Sequence, residues 1–159
     1  MSQRPSPRLL AICEAVRKTL EHQFPHRKGL RNLCSLSAIA VVRIARDRRI
    51  NAEFIGGKFC TRPIVDKPQF GNPEHIKIAR SPLFHIPHAW VKHRRNYIDL
   101  TLTQFDPRAP RVAVLPLDDR RYLGNPEPLE FAEMAGFLCG VSELDKLNLI
   151  TEAKERLRG

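Results

Sequence analysis

Hydrophobic positions near the start of the chain repeat with the period of an α-helix. In residues 8–23 the apolar side chains recur three or four positions apart, so they line one face. The pair Phe24-Pro25 then ends the pattern. The segment therefore predicts an amphipathic helix over Arg8–Gln23. The members of its apolar face are Leu9, Cys13, Val16 and Leu20.

A second helical segment, Cys34–Arg49, is apolar on nearly every side. Its middle reads LSAIAVVRIA. A helix that is apolar all round is expected in the middle of a domain, because no face of it suits water. Its last residues, Arg46 to Arg49, are mostly basic, which suits the negative end of a helix dipole.

Shorter runs further along the chain are typical of β-strands. Asn51–Cys60 predicts a strand in which Gly56-Gly57 marks a bulge or a close approach of another backbone. The proline-rich stretch Thr61–Pro87 predicts an irregular excursion. Two more strands, at His88–Val91 and Tyr97–Thr101, flank the polar residues 92–95 and predict a hairpin. Arg111–Leu117 predicts a further strand, and Asp118–Pro128 a loop.

The chain returns to helical patterns at its end. Leu129–Cys139 and Ser142–Arg158 predict helices, and Ser142 with Asp145 three positions later forms a possible capping box. The order of elements predicts an α+β fold. A length of 159 residues, with 42% apolar and 28% charged residues, favours one globular domain over residues 1–159.

Charge adds a prediction about partners. The chain carries a net charge of +10, of which residues 1–111 supply +13 and residues 112–159 supply −3. Such a surface attracts nucleic acid or an acidic protein. A partner-binding surface is predicted at five arginines, namely Arg46, Arg48, Arg49, Arg94 and Arg95.

The sequence also bears on location. It has no apolar run of membrane-spanning length and no hydrophobic segment of signal-peptide type at its start. We therefore expect a cytoplasmic protein without a membrane partner, and a secreted-effector role stays open. The oligomeric state is left open.

The four cysteines do not form a metal or disulfide motif. They are Cys13, Cys34, Cys60 and Cys139, and no pair has C-x-x-C spacing. His85 and His88 have H-x-x-H spacing but no third ligand on a recognisable element. We expect reduced thiols, no metal site and no cofactor.

Three residues have the chemistry and placement of a catalytic triad. Cys34 falls at the predicted start of the buried helix, where backbone N–H groups and the helix dipole stabilise a thiolate. A hairpin loop centred on His93-Arg94 pairs residues whose numbers sum to 187, which places His88 opposite Asp99 and Trp90 opposite Tyr97. The carboxylate would then hold one imidazole nitrogen and turn the other toward the nucleophile.

Two stretches, GLRNLCSLSAIAVVRIARDRRINAEFIGG and HAWVKHRRNYIDLTLTQF, resemble the papain-like and transglutaminase-like cysteine enzymes, bacterial effector-type deamidases and cysteine proteases among them. The resemblance covers Gly29–Phe105. It implies a central helix opened by the cysteine and packed on an antiparallel sheet with flanking helices. It also implies that Cys34 is the nucleophile, His88 the base and Asp99 the orienting carboxylate.

The expected activity is cleavage or exchange of an amide bond in a protein substrate through a thioester. Deamidation or proteolysis is favoured, and transglutamination is possible. An oxyanion hole needs the Cys34 N–H and one more donor, for which Asn32, Gln104 and Trp90 are the candidates. The alternative function is a basic protein that binds nucleic acid or a partner without catalysis.

Overall fold

The computed structural model describes residues 4–27, 30, 32–60, 85–135 and 141–159. Within them the protein is an α+β fold, as predicted, with five antiparallel strands in the order β4-β3-β2-β1-β5. The helices are α1 (Pro7–Gln23), α2 (Cys34–Asp47), α3 (Leu129–Ala135) and α4 (Glu143–Arg158). The strands are β1 (Glu53–Cys60), β2 (His85–His93), β3 (Asn96–Asp99), β4 (Ala113–Pro116) and β5 (Tyr122–Glu127), with a 3-10 turn at Leu102–Gln104.

Side chains of the expected kinds begin two of the helices. The Ser6 hydroxyl accepts a hydrogen bond from the Arg8 N–H at the start of α1. Pro7, the first residue of this helix, has no N–H group that would need an acceptor there. At the start of α4, Ser142 and Asp145 form the predicted capping box, with both reciprocal hydrogen bonds present. The predicted capping box is therefore confirmed, whereas α1 begins at Pro7, one residue before the predicted start at Arg8.

Helix α2 is the centre of the molecule. It contacts α1, α3 and α4 as well as β1 and β2. Ten of its fourteen residues are buried, from Cys34 to Ala45. This confirms the prediction that an all-apolar helix lies inside the domain, because every side of α2 meets another element.

The sheet buries both of its faces. One face packs on the helices through alternate residues such as Phe54, Ala89, Val91 and Ile98. The other face carries a second apolar cluster, of which Trp90 and Tyr122 are members. Its buried members are Ile55, Phe59, Trp90, Leu102, Ala113 and Tyr122.

The ends of helix α2 and of strands β1 to β4 differ from the predicted ones by up to three residues, and one predicted loop contains a strand. Helix α2 ends at Asp47 rather than Arg49, because Arg49 takes a left-handed conformation with φ 58°. Residues 118–128, predicted as a loop, contain strand β5, which pairs with β1 from Phe54 to Phe59. Their Gly, Asn and Pro residues are unfavourable in strands in general but acceptable on an edge strand such as β5.

The predicted excursion at 61–87 is only partly within the described residues. Its last three residues belong to β2, while 61–84 lie outside the described part of the chain, as do residues 136–139 of the helix predicted at 129–139. The predicted close approach at Gly56-Gly57 is confirmed without a bulge. A Cβ atom on Gly57 would lie 2.1 Å from the carbonyl oxygen of Leu123 on β5.

Within the described ranges, every helix is too short or too polar to cross a bilayer.

Candidate active site

His88 and Asp99 form a buried hydrogen bond. Nε2 of His88 lies 2.7 Å from Oδ2 of Asp99, and the two side chains are 0% and 1% exposed. His88 belongs to β2, and Asp99 is the last residue of β3. Because Nε2 is occupied by the carboxylate, Nδ1 is the ring nitrogen left for a third group.

The register of the hairpin differs from the predicted one. The loop consists of Arg94-Arg95, so paired numbers sum to 189: Val91 lies opposite Ile98, and Lys92 opposite Tyr97. The predicted direct pairing of His88 with Asp99 is therefore wrong. His88 reaches Asp99 diagonally across the two strands, a spacing that long side chains can bridge.

Asp99 has three further hydrogen-bond donors. Its Oδ2 accepts a 2.8 Å hydrogen bond from the hydroxyl of Tyr122, and Oδ1 accepts one of 2.9 Å from the backbone N–H of Thr101. The Thr101 hydroxyl adds a longer contact of 3.4 Å. A buried carboxylate with this many donors is held in one orientation as an anion.

The His88 ring is enclosed by aromatic side chains. Phe105 and Phe59 meet it edge-on at 5.1 and 5.8 Å between ring centroids, and Trp90 lies at 5.7 Å. Tyr122 is 6.2 Å away. These rings fix the plane of the imidazole and exclude water from the His88–Asp99 pair.

Cys34 lies beside His88 at the first residue of α2. Strand β3 pairs with β2 only as far as Val91, which leaves the edge of β2 open at Ala89. The backbone N–H of Ala89 lies at this open edge and, like His88, lowers the pKa of Cys34. Cys34 is 7% exposed and His88 is 4% exposed, so both residues are buried.

The surroundings of Cys34 favour its charged form. Burial alone would raise the pKa of the thiol, but the contact with His88, the positive charge of His88 and the Ala89 N–H outweigh it, and the pKa falls below its usual value. Within the described residues Nδ1 of His88 has no hydrogen bond of standard geometry. The contact of His88 with Cys34 therefore lacks the geometry that its 2.7 Å hydrogen bond to Asp99 has.

The pKa values of His88 and Asp99 shift in opposite directions, and each shift favours the charged form of its group. Burial alone would lower the pKa of His88, but the charge and hydrogen bond of Asp99 raise it to about 10. Burial alone would raise the pKa of Asp99, but the charge and hydrogen bond of His88 lower it. Each shift thus favours the charged form of its group: a thiolate at Cys34, an imidazolium at His88 and a carboxylate at Asp99.

The three oxyanion candidates occupy different places. Gln104 lies against the segment before Cys34, where its Oε1 accepts the backbone N–H of Asn32 at 3.4 Å. Its Nε2 donates to the Thr101 hydroxyl at 3.2 Å. Asn32 is exposed and left-handed, with φ 64°. Trp90 is 1% exposed and lies against the His88 ring within the aromatic cluster.

No sequence signal marked Tyr122 or Phe59 as part of this site. Tyr122 arrives on β5, which the sequence predicted as a loop, and Phe59 lies at the far end of β1. Aromatic residues on predicted strands are ordinary core residues, so only the tertiary contacts distinguish these two.

Of the five arginines predicted to bind a partner, four lie near one another and Arg46 is separate from them. Arg46 is ion-paired with Glu130 of α3 at 3.4 Å. Arg48 and Arg49 follow the end of α2, and Arg94 and Arg95 form the tip of the β2–β3 hairpin.

Metal ligands and known proteins give no further lead. In the described part of the chain no three His, Cys, Asp or Glu side chains lie together as a metal site would require. The free thiols described are Cys13, Cys34 and Cys60, and the predicted free Cys139 lies outside the described residues. No protein-family model, curated protein or solved structure matches the chain.

Proposed function

We propose that the protein is a cysteine-dependent enzyme that acts on amide bonds of a protein substrate, with Cys34 as nucleophile, His88 as base and Asp99 as the orienting carboxylate. The observation that carries the proposal is the buried row of these three groups, with a 2.7 Å His88–Asp99 hydrogen bond and a thiol pKa lowered by His88. Buried titratable groups with opposed pKa shifts are more often found at reactive sites than elsewhere.

The proposed reaction starts from a thiolate at Cys34 and an imidazolium at His88, the forms that their pKa shifts favour. The Cys34 sulfur attacks the amide carbonyl carbon, an S–C bond forms, and the C=O electron pair moves to oxygen. When this intermediate collapses, the C–N bond breaks and the departing nitrogen takes the proton from Nδ1 of His88. A thioester remains on Cys34.

Water then completes the reaction. Nδ1 of His88 takes a proton from the attacking water, the C–S bond breaks, and the thiolate and imidazolium are restored beside a new carboxyl group, whose own proton passes to solvent. If the amide is a glutamine side chain the products are glutamate and ammonia, and if it is the main chain the result is proteolysis. A lysine amine in place of water gives a crosslink. We favour hydrolysis, because one small domain offers few elements for a second substrate.

For the oxyanion, we propose the backbone N–H of Cys34 together with the carboxamide of Gln104. Cys34 is the first residue of α2, so its N–H has no partner within the helix. Gln104 contacts the backbone two residues before Cys34. Gln104→Ala should slow amide chemistry while leaving alkylation of Cys34 unchanged, because alkylation forms no oxyanion.

The proposed fold relationship rests on the same arrangement. A central helix begins at the cysteine and packs on an antiparallel sheet, and neighbouring strands carry the histidine and the aspartate. We propose a papain-like or transglutaminase-like architecture on this basis.

The decisive experiment compares proteomes exposed to wild type, Cys34→Ala and His88→Ala. Both variants should abolish the modification, whereas Asp99→Asn should retain a small part of it because Asp99 orients His88 without reacting. Cys60→Ala is the matched control, a thiol outside the site. Glutamine converted to glutamate, a new chain terminus or a Gln–Lys crosslink distinguishes the three reactions by peptide mass spectrometry.

A non-catalytic binding protein is the second candidate, favoured by exposed arginines that have no carboxylate partner among the described residues. It predicts that Cys34→Ala keeps full biological effect and leaves the three proteomes identical. That result, together with sub-micromolar binding of nucleic acid at about 0.15 M salt, would contradict the proposed catalysis.

A further inference from the structure

Three separate segments bring arginines together at the end of the domain opposite Cys34. We call this surface the arginine end and define it as Arg8, Arg48, Arg49, Arg94 and Arg95. The Arg8 guanidinium donates to the Arg48 carbonyl at 3.4 Å, which joins α1 to the end of α2. The Arg94 guanidinium donates to the Arg4 carbonyl at 2.6 Å, which joins the hairpin to the chain before α1.

A buried histidine fixes the hairpin in this place. His93 is 6% exposed, and its ring bonds the carbonyl oxygen of Asn51 through Nδ1 and the N–H of Ser6 through Nε2. The hairpin tip is therefore attached both to the segment after α2 and to the segment before α1. The arginine end is a built surface rather than a set of independent side chains.

Its charge is not neutralised within the protein. In the described ranges none of the five arginines forms an ion pair with a carboxylate. Arg48 is half-buried, and the other four are exposed. Several arginines elsewhere do have carboxylate partners. These are Arg17, Arg43, Arg46, Arg111 and Arg121.

Arg49 occupies a backbone position that favours glycine. Helix α2 ends with the hydrogen bonds of a Schellman motif, from Ile50 N–H to the Ala45 carbonyl at 2.8 Å and from Arg49 N–H to the Arg46 carbonyl at 3.0 Å. The residue after the C-cap in this motif is left-handed, and Arg49 adopts φ 58°. Glycine takes this conformation without the strain that a Cβ atom causes.

Arg94 occupies a second such position. It is the first of two loop residues between His93 and Asn96, and its φ is 56°. Tight hairpin loops favour glycine, asparagine or aspartate at a central residue with positive φ. The arginine end therefore has a long cation at two sites where the backbone favours a small residue, and such strain accumulates at ligand-binding positions.

We propose that the arginine end binds an acidic polypeptide segment, a run of Asp and Glu side chains. Arginine is suited to carboxylates because its planar guanidinium donates two parallel hydrogen bonds to one carboxylate. A nucleic acid fits less well, because residues 4–8, 47–51 and 92–96 contain no Phe, Tyr or Trp on which bases could stack. That the acidic segment belongs to the substrate rests on the proposed function; the binding itself does not.

The test measures binding of a fluorescein-labelled twelve-residue Asp/Glu peptide to Cys34→Ala protein by anisotropy at about 0.15 M salt. The double variant Arg49→Gly/Arg94→Gly should bind roughly three- to thirtyfold more weakly, since it loses two surface charge pairs. It should also unfold within a few degrees of its parent, because glycine relieves both left-handed positions while the exposed hydrogen bond from Arg94 to the Arg4 carbonyl is lost.

The matched control is Arg108→Gln/Arg158→Gln, which removes two exposed arginines elsewhere and should bind like the parent. Equal weakening in the control would show that only net charge matters and would overturn the proposal. So would a lower melting temperature of the glycine variant combined with unchanged binding, which would mean that the arginines serve only the helix end. Tighter binding of an oligonucleotide of equal charge would assign the surface to nucleic acid instead.

The design separates this proposal from the proposed function. Peptide binding by Cys34→Ala protein tests the arginine end without any reaction. In an Arg49→Gly/Arg94→Gly protein that keeps Cys34, alkylation of Cys34 should match wild type. Loss of modification in Cys34→Ala with no peptide binding would leave an enzyme without this surface. Binding without modification would leave a binding protein.

Discussion

The hydroxyl of Tyr122 and Nε2 of His88 bind the same oxygen, Oδ2 of Asp99, at 2.8 and 2.7 Å. Burial and the Asp99 charge both raise the pKa of Tyr122, so its hydroxyl stays protonated and acts as a donor. Strand β5 therefore holds the carboxylate from one side while β2 supplies the histidine from the other. We infer that Tyr122 is a positioning residue that acts through Asp99.

Tyr122→Phe should cost about 1.5–3 kcal/mol in the free energy of unfolding at pH 7, because a buried hydrogen bond to a charged group is lost. The variant also loses a donor that lowers the pKa of Asp99. Asp99 stabilises the fold above its unfolded pKa, and this stabilisation disappears as pH falls through the folded pKa. Acid unfolding of the variant should therefore begin at a higher pH.

Tyr97→Phe is the matched control for this change. Tyr97 lies half-buried in the same aromatic cluster, with its ring 5.9 Å from that of Tyr122. Urea denaturation of both variants at several pH values measures the two effects. Equal losses for the two tyrosines would contradict a specific role of Tyr122 at Asp99.

Cys34 should be the thiol that iodoacetamide labels first at pH 6–6.5. Its pKa is lowered by His88, whereas burial raises the pKa of Cys13 to about 12. Peptide mass spectrometry of briefly treated protein gives the labelling order. In His88→Ala the preference for Cys34 should weaken sharply, because the cation that stabilises the thiolate is absent. Labelling of Cys60 ahead of Cys34 would show that Cys34 is an inert buried thiol.

The thiol and the imidazole should compensate each other in the pH dependence of stability. Folding raises the pKa of His88 from 6.5 to about 10, so the folded state gains a proton between these values and becomes less stable as pH rises. Folding lowers the pKa of Cys34 from 9.0, so the folded state loses a proton below pH 9 and becomes more stable as pH rises. Where both hold, the two slopes cancel.

Cys34→Ala removes one half of this compensation. Its free energy of unfolding relative to wild type should fall as pH rises from 7 to 9, by at most about 1.4 kcal/mol per pH unit. Chemical denaturation at half-unit intervals measures the difference. Cys13→Ala should show a nearly constant offset below about pH 8, because Cys13 stays neutral in the folded state and ionises in the unfolded chain only near its ordinary pKa of 9.0. Parallel curves for Cys34→Ala and wild type would mean that Cys34 and His88 form no ion pair.

Gly57→Ala should destabilise the sheet by about 1–3 kcal/mol or more. An added Cβ atom would lie 2.1 Å from the Leu123 carbonyl oxygen and 2.5 Å from the Cα atom of Gly124, so β1 and β5 would have to separate. Since β5 carries Tyr122, selective alkylation of Cys34 should weaken too. Gly159→Ala is the control, because its nearest neighbour would be 3.9 Å away. Denaturation at neutral pH compares them, and equal stability would rule out the close approach.

Much of the fold was predictable because the helices carry strong local signals. The period of apolar residues defined α1, and the all-apolar middle of α2 predicted its central place. The contact of His88 with Asp99 was also predicted, although the register was displaced by two residues. A displacement of two keeps every side chain on its own face of the sheet, whereas a displacement of one would have reversed them.

Strand β5 could not be predicted because its pairing depends on the distant strand β1, and the same pairing brings Tyr122 to Asp99. Gly124, Asn125 and Pro126 are poor strand formers, and their pairing with β1 depends on the absence of side chains at Gly57 and Gly124. That fit is a property of two distant segments, and neither segment shows it alone. The aromatic enclosure of His88 was hidden likewise, since Phe105 and Tyr122 reach it only through tertiary packing.

Helix α2 has a consequence for the length of what the protein recognises. It begins at Cys34, and the arginine end includes the residues that follow its last turn. Fourteen residues at 1.5 Å each make the helix about 20 Å long. An extended polypeptide covers this distance with at least about six residues. The length of the rigid helix thus sets a minimum spacing in the substrate. If both proposals hold, the reacting amide and the acidic run of one substrate are separated by at least about six residues.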